Sequence, residues 1–103
     1  MLDLDRIVGF EWNAGNRGKN LIHDVSDGEA EQVSFSHPLL VLEDARHSAR
    51  ESRYHALGLT LDGRRLHVTF TLRDAGCRIR VISARDMHRK ERAIYDAKAK
   101  DHP

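Results

Sequence analysis

One short segment combines the residue types that proton transfer and anion binding require. Residues 47–54 (HSARESRY) bring an imidazole, a carboxylate and two guanidinium groups into eight positions. His47 titrates near neutrality and can exchange a proton at pH 7, whereas Glu51 can do so only if its pKa is raised. Arg50 and Arg53 supply the cations. The alternative interpretation is a solvated charged loop, whose ion pairs contribute at most about 1 kcal/mol each.

A predicted strand carries arginines on one face. Arg78 and Arg80 alternate with apolar residues, which places both on the same side of a strand. The preceding predicted strand adds three polar residues to that face: His67, Thr69 and Thr71. Arg53 and Arg85 fall at the ends of neighbouring elements, so this face is expected to present cations from a rigid surface. An ordinary solvated sheet face has the same alternation.

A third group flanks two predicted helices. Ser83 and Asp86 have the spacing of a helix N-cap pair, which places Arg85 in the first turn, where the helix dipole disfavours a cation. That position indicates a further role for Arg85. Lys19 and His23 lie four residues apart and would share one helix face, turned either to phosphate or to solvent. The histidines have no metal-binding spacing.

These groups depend on a mixed set of elements. The pattern predicts a strand over 7–12, a weak helix over 13–23, a helix over 26–35 with a Ser26–Glu29 capping box, and a strand over 39–42 buried on both sides. After a charged loop over 43–50, alternation from 57 to 82 predicts a three-stranded meander, with a type I′ turn at Asp62-Gly63 and a helix from Ser83. This order indicates an α+β fold, an antiparallel sheet with helices packed on one face.

Composition excludes several classes of protein. The 103 residues suit one domain, and the net charge of +1 combines a net charge of −5 over residues 1–52 with +6 over residues 53–103. That asymmetry favours a nucleic acid or an acidic partner for the second half. No apolar run is long enough to span a membrane, the acidic N-terminus does not resemble a signal peptide, and the single Cys77 is typical of a reducing cytoplasm. Dinucleotide, P-loop and zinc motifs are absent from the sequence.

Several motifs together resemble the BrnT toxin family over about residues 9–96. They are Phe10-Glu11-Trp12-Asn13, Lys19-Asn20, His23, Val25-Ser26, Glu29-Ala30-Glu31, Pro38-Leu39-Leu40, Glu51-Ser52-Arg53-Tyr54, Leu57-Gly58, Ile79-Arg80-Val81-Ile82-Ser83-Ala84-Arg85, Glu91-Arg92 and Tyr95. The run at 79–85 followed by the Glu91-Arg92 pair is the most specific. The whole chain is therefore interpreted as one BrnT-like domain, with a frayed tail at 97–103.

The resemblance implies a RelE-like fold and a ribonuclease toxin of a type II toxin–antitoxin system. It also implies a ribbon-helix-helix antitoxin similar to BrnA as partner, in a complex that binds operator DNA. No cofactor is implied. The sequence departs from the family at Ile22, where a lysine usually precedes the histidine.

The expected reaction is metal-independent RNA cleavage, in which the 2′-hydroxyl attacks its own phosphate. His47 or Glu51 is the candidate base, and Arg53, Arg80 and Arg85 are expected to hold the phosphate. The candidate RNA-binding residues are Lys19, His23, Arg78, Ser83 and Glu91. The alternative is a catalytically weak binding module in an antitoxin–DNA complex.

Overall fold

The computed structural model describes residues 2–46 and 51–101. Within them, five strands form one sheet: β1 (Gly9–Phe10), β2 (Leu40–Asp44), β3 (Arg53–Leu59), β4 (Arg65–Arg73) and β5 (Arg78–Asp86). The spatial order is β1-β5-β4-β3-β2, with β1 parallel to β5 and the other neighbours antiparallel. The predicted meander is confirmed as β3–β5, and the α+β class is confirmed.

The first helix, α1 (Asp27–Val33), begins where the sequence predicts. The Ser26 hydroxyl accepts from the Glu29 amide at 3.1 Å, and the Glu29 carboxylate accepts from the Ser26 amide at 3.0 Å. This reciprocal pair satisfies two amides that the helix itself leaves without acceptors. Ala30 and Val33 then lie in the core against one face of the sheet.

The core lies on the face of the sheet that carries the predicted apolar residues. The sheet contributes Tyr54 from β3, Leu66, Val68 and Phe70 from β4, and Ile79 and Val81 from β5. The second helix, α2 (Arg89–Lys100), does not share this side with α1. Its Glu91 contacts Arg85 and lies near His67 on the polar face, and its buried Tyr95 donates a hydrogen bond to the Pro38 carbonyl at 2.7 Å. The two helices therefore lie against different parts of the sheet.

The edge of β5 beyond the two-residue β1 is completed by asparagine side chains. The buried side-chain amide of Asn16 donates to the Val81 carbonyl at 3.1 Å. The buried Asn20 side chain accepts from the backbone amide of Ala84 at 2.9 Å. Both residues belong to the segment in which the sequence predicts a weak helix. The segment instead forms turns and a 3-10 helix at Lys19–His23, whose side chains protect an edge that would otherwise expose backbone groups.

The helix predicted from Ser83 is wrong, because β5 continues through Asp86. Pairing with β4 extends to Leu66↔Asp86, so Ser83 is a strand residue and not a cap, and Arg85 does not lie in a helical turn. Asp86 accepts instead from the Arg64 guanidinium at 2.8 and 3.1 Å, which lowers the pKa of its carboxyl group. The helix begins at Arg89, where the His88–Glu91 pair provides the cap, and it continues to Lys100, into the predicted tail.

Two further strand predictions are wrong in detail. The strand expected to be buried on both sides is the edge strand β2, which extends to Asp44 and leaves Leu42 73 % exposed. The N-terminal strand is limited to Gly9–Phe10. The Asp62-Gly63 hairpin is confirmed, but only Gly63 of the pair has a positive φ, and its amide donates to the Thr60 carbonyl at 3.0 Å. The turn is therefore not type I′, which needs positive φ at both residues.

Candidate functional site

A bulge in β5 places the predicted arginines on one face. Thr69 pairs with Ser83 whereas Phe70 pairs with Val81, so Ile82 is an extra residue without a partner on β4. The bulge shifts the alternation by one position, and the even-numbered Arg80 therefore shares the polar face with the odd-numbered Arg85. Continuous alternation would have directed these two guanidinium groups to opposite sides of the sheet.

The polar face carries two separate clusters. The Glu51 cluster consists of Glu11, Glu51, Arg53, Arg73 and Arg80, and the Arg85 cluster consists of His55, His67, Arg85 and Glu91. Arg53 and Arg80 are both paired with Thr71 of β4, whereas Arg85 is paired with His67. Thr71 and His67 are four residues apart, which corresponds to about 13 Å along a strand. Arg85 therefore does not converge on one point with Arg53 and Arg80.

Carboxylates hold Arg73 and Arg80 in the Glu51 cluster. Arg73 donates to Glu51, and its Nε lies 3.7 Å from Glu11 Oε1. Arg80 Nη1 donates to the same Glu11 oxygen at 2.9 Å. The Glu51 and Arg73 side chains are 44 % and 33 % exposed, so this pair is accessible from solvent. Arg73 was not among the predicted site residues, although it follows the polar positions of β4 in the same alternation.

Arg80 also has a structural role. Its guanidinium donates to Asn16 at 3.3 Å and to Asn13 at 3.2 Å in addition to Glu11. The side chain is only 17 % exposed. These contacts tie the segment after β1 to β5, so Arg80 fixes the edge of the sheet as well as adding a positive charge.

The Arg85 cluster is centred on a two-point ion pair. Arg85 donates to the two Glu91 oxygens at 2.8 and 3.1 Å, and Glu91 also accepts from the His88 amide at 2.7 Å. The hydrogen bonds from Arg85 lower the pKa of Glu91 to about 2, against the opposing effect of burial. Glu91 is therefore ionised at neutral pH and fixes the guanidinium plane of Arg85.

His67 lies beside this pair in a poorly solvated position. Its side chain is 12 % exposed, and its Nε2 is 4.0 Å from Glu91 Oε2. Burial, followed by the positive charge of Arg85, lowers its pKa to about 4. Its buried Nδ1 has no hydrogen-bond partner among the described residues. His67 is therefore neutral at pH 7.

His55 completes the cluster and is fixed by neighbours on both sides. Its Nε2 lies 2.8 Å from Asp44 Oδ2 and its Nδ1 lies 3.0 Å from the Thr69 hydroxyl. Its ring stacks on that of His67 with a centroid distance of 5.0 Å. Neither histidine was among the predicted site residues, although His67 was predicted on the same face as the arginines. The available signal was that both residues alternate with core positions on adjacent strands, on the same face as the arginines.

The other predicted site residues have varied positions. Arg78 and Ser83 lie on the polar face, where Arg78 pairs with Asp74 at 3.0 Å. Lys19 and His23 are exposed on the 3-10 helix beside β5, and their predicted common face is lost because three residues per turn separate positions four apart by about 120°. His47 lies outside the described residues. Within 2–46 and 51–101, no three His, Cys, Asp or Glu side chains are grouped so that they could hold a metal ion.

Comparison with known proteins assigns the family. The model of the BrnT family, described as the ribonuclease toxin of type II toxin–antitoxin systems, matches residues 12–91. The chain belongs to the BrnT family. No curated protein gives a significant match. The matched span contains all members of the two clusters except Glu11.

BrnT membership determines the general function of the protein. The family consists of ribonuclease toxins in type II toxin–antitoxin systems, so an antitoxin is the implied partner. No helix among the described residues has the length and apolar character needed to cross a membrane.

Proposed function

We propose that this BrnT protein is a metal-independent endoribonuclease that cleaves RNA at the Glu51 cluster. The main support is the accessible Glu51–Arg73 pair beside Arg53 and Arg80, on a rigid sheet of a ribonuclease-family protein. The proposed reaction is attack of the 2′-hydroxyl on the adjacent phosphate, which expels the 5′-oxygen. It requires a base that takes the hydroxyl proton, an acid that protonates the departing 5′-oxygen, and positive charge around the phosphate. DNA lacks the nucleophile and is not a substrate in this scheme.

Glu51 is the base in this proposal. Its side chain contacts Arg73 and is 44 % exposed, so the 2′-hydroxyl of a bound RNA can reach its carboxylate. The surrounding guanidinium groups of Arg53, Arg73 and Arg80 stabilise the extra negative charge that the phosphate acquires in the transition state. Glu11 and Glu51 already neutralise part of this charge. RNA phosphate therefore competes with Glu51 for Arg73 at the accessible pair, since such pairs are individually weak. His47 remains the other base candidate from the sequence.

The Arg85 cluster binds the RNA on one side of the cleavage site. Arg85 holds a neighbouring phosphate, with Glu91 setting the orientation of its guanidinium. Arg78 and Ser83 lie along the same face, and Lys19 and His23 extend the contact beyond the edge of β5. A strand of RNA laid across the face would thus meet both clusters, whose separation of about 13 Å is too large for a single phosphate.

The experiment compares Glu51→Gln with Asp62→Asn, a matched change at an exposed turn acid. The substrate is an otherwise 2′-O-methylated oligonucleotide with one ribonucleotide, incubated with EDTA. Wild type and Asp62→Asn should cleave after that ribonucleotide and leave a 2′,3′-cyclic phosphate. Glu51→Gln should be slower by roughly 100-fold or more, the usual effect of losing a general base. Equal rates for the two variants would exclude Glu51 as the base, and cleavage that stops in EDTA would exclude the metal-independent reaction.

We further propose that the implied antitoxin is a ribbon-helix-helix protein similar to BrnA and that the complex binds operator DNA. The system acts in the cytoplasm in this proposal, where its RNA substrates are found.

The alternative function is a binding module with little turnover. Ile22 supports it, because this residue stands where a lysine would add a cation next to His23. Induced expression with and without the neighbouring gene distinguishes the enzyme from the binding module. An enzyme arrests growth, and its antitoxin relieves the arrest. A binding module binds RNA in a salt-sensitive way without cleaving it.

A further inference from the structure

A groove opens on the polar face between β2 and α2. It has a volume of about 540 Å³ and contains the whole Arg85 cluster. The remaining lining residues are apolar: Leu40, Val41, Leu42, Leu57 and Ile94. Leu42 and Ile94 are 73 % and 57 % exposed, so the groove presents apolar side chains to solvent next to a fixed ion pair.

The two kinds of lining match the two parts of a nucleotide. Leucine side chains and the stacked rings of His55 and His67 suit the flat faces of a nucleobase, and stacking of this kind accepts any base. His67 is neutral at pH 7, so it adds an aromatic surface without the hydration of a charged ring. Arg85 lies in the same groove and carries the charge that a phosphate requires.

We propose that this groove is a nucleobase subsite that binds a nucleotide flanking the cleavage site, with the base between the histidine stack and the apolar wall and its phosphate on Arg85. The inference rests on the proposed ribonuclease function and adds a place where the substrate is recognised. An apolar segment of a protein partner is the competing occupant. The partly buried charges of Arg85 and Glu91 make a nucleotide the better match, because an apolar segment would desolvate that pair without offering it an anion.

Binding of a non-cleavable ligand tests the subsite directly. The probes are a 2′-O-methyl tetranucleotide and the same backbone made abasic, titrated at constant salt against the full chain. The wild type should bind the intact probe at least about tenfold more tightly than the abasic one. The double variant Leu42→Ala/Ile94→Ala should reduce this ratio to about twofold or less. The control Val8→Ala/Leu61→Ala alters residues that are 78 % and 83 % exposed and lie outside the groove, and should keep the full ratio.

Two outcomes would overturn the subsite. One is equal affinity of the wild type for the two probes. The other is an unchanged ratio in Leu42→Ala/Ile94→Ala, and loss of antitoxin binding in the same variant would then assign the groove to the protein partner. The result is separable from the proposed function, because the probe has no 2′-hydroxyl. Base discrimination without cleavage of ribo-RNA would refute the nuclease proposal alone, and cleavage without base discrimination would refute the subsite alone.

Discussion

Replacing His67 by glutamine should make the protein less sensitive to acid. In the folded chain the pKa of His67 is lowered from 6.5 to about 4 by burial and by Arg85. Above pH 6.5 the imidazole is neutral in both states and contributes nothing to the pH dependence. Below it, the unfolded chain binds a proton that the folded chain does not accept until about pH 4, so stability is lost as the pH falls. At pH 5 this penalty amounts to about 2 kcal/mol.

The assay is urea unfolding of wild type and His67→Gln at pH 7.5 and pH 5. Between these two values the wild type should lose about 2 kcal/mol more than the variant. His67→Phe keeps a ring against His55 and should match His67→Gln in its pH dependence, whatever its stability at pH 7.5. Glu91 does not interfere. Its lowered pKa stabilises the folded chain, and this stabilisation is lost only as the pH falls below 4.5. If the wild type and both variants lost the same free energy, the argument that burial keeps His67 neutral would be wrong.

Two further substitutions test the structural account. Arg80→Ala should lower the free energy of unfolding by about 2–3 kcal/mol in thermal or urea unfolding, because it breaks a half-buried pair with Glu11 and two asparagine contacts. The control Arg78→Ala breaks an exposed pair and should cost under about 1 kcal/mol. Equal costs would contradict the anchoring role of Arg80. Gly58→Ala should cost about 1–3 kcal/mol, because a Cβ there would lie 2.9 and 3.0 Å from two side chains packed over β3. Gly9→Ala, with no atom within 4 Å of its Cβ, is the control, and a Gly58→Ala protein as stable as this control would show that the site can relax.

Much of the fold follows from local patterns in the sequence. The alternation through β4 and β5 predicts a half-buried antiparallel sheet, because period two allows only one apolar face. The Ser26–Glu29 pair predicts the start of α1, because both hydrogen bonds lie within four residues. The helix start predicted at Ser83 is wrong because a pattern of a few residues contains no information about pairing with a distant strand. Ser83 and Asp86 have the local spacing of a cap, but pairing with β4 extends the strand through both of them.

The candidate site was only partly visible in the sequence. Arg80 and Arg85 were identified as cations, yet their placement on one face depends on the bulge at Ile82, which no local pattern indicates. His67 was predicted on the polar face but given no role, and His55 was set aside because its spacing is not typical of a metal site. Their stacking arises from the pairing of β3 with β4, which brings these two residues, twelve positions apart in the chain, into diagonal contact across the strands.

The sequence by itself determined the α+β class, the family resemblance and the types of residue that can bind RNA and transfer protons. These depend on short-range periodicity and on motif spacing, which are present before the chain folds. The tertiary structure decided which residues share a site. Register, the β5 bulge and the position of α2 separate a Glu51 cluster from an Arg85 cluster and bury His67 beside a cation. Strand pairing and burial involve contacts between distant parts of the chain, so a residue's neighbours in space, and with them its pKa and its role, are set only when the sheet forms.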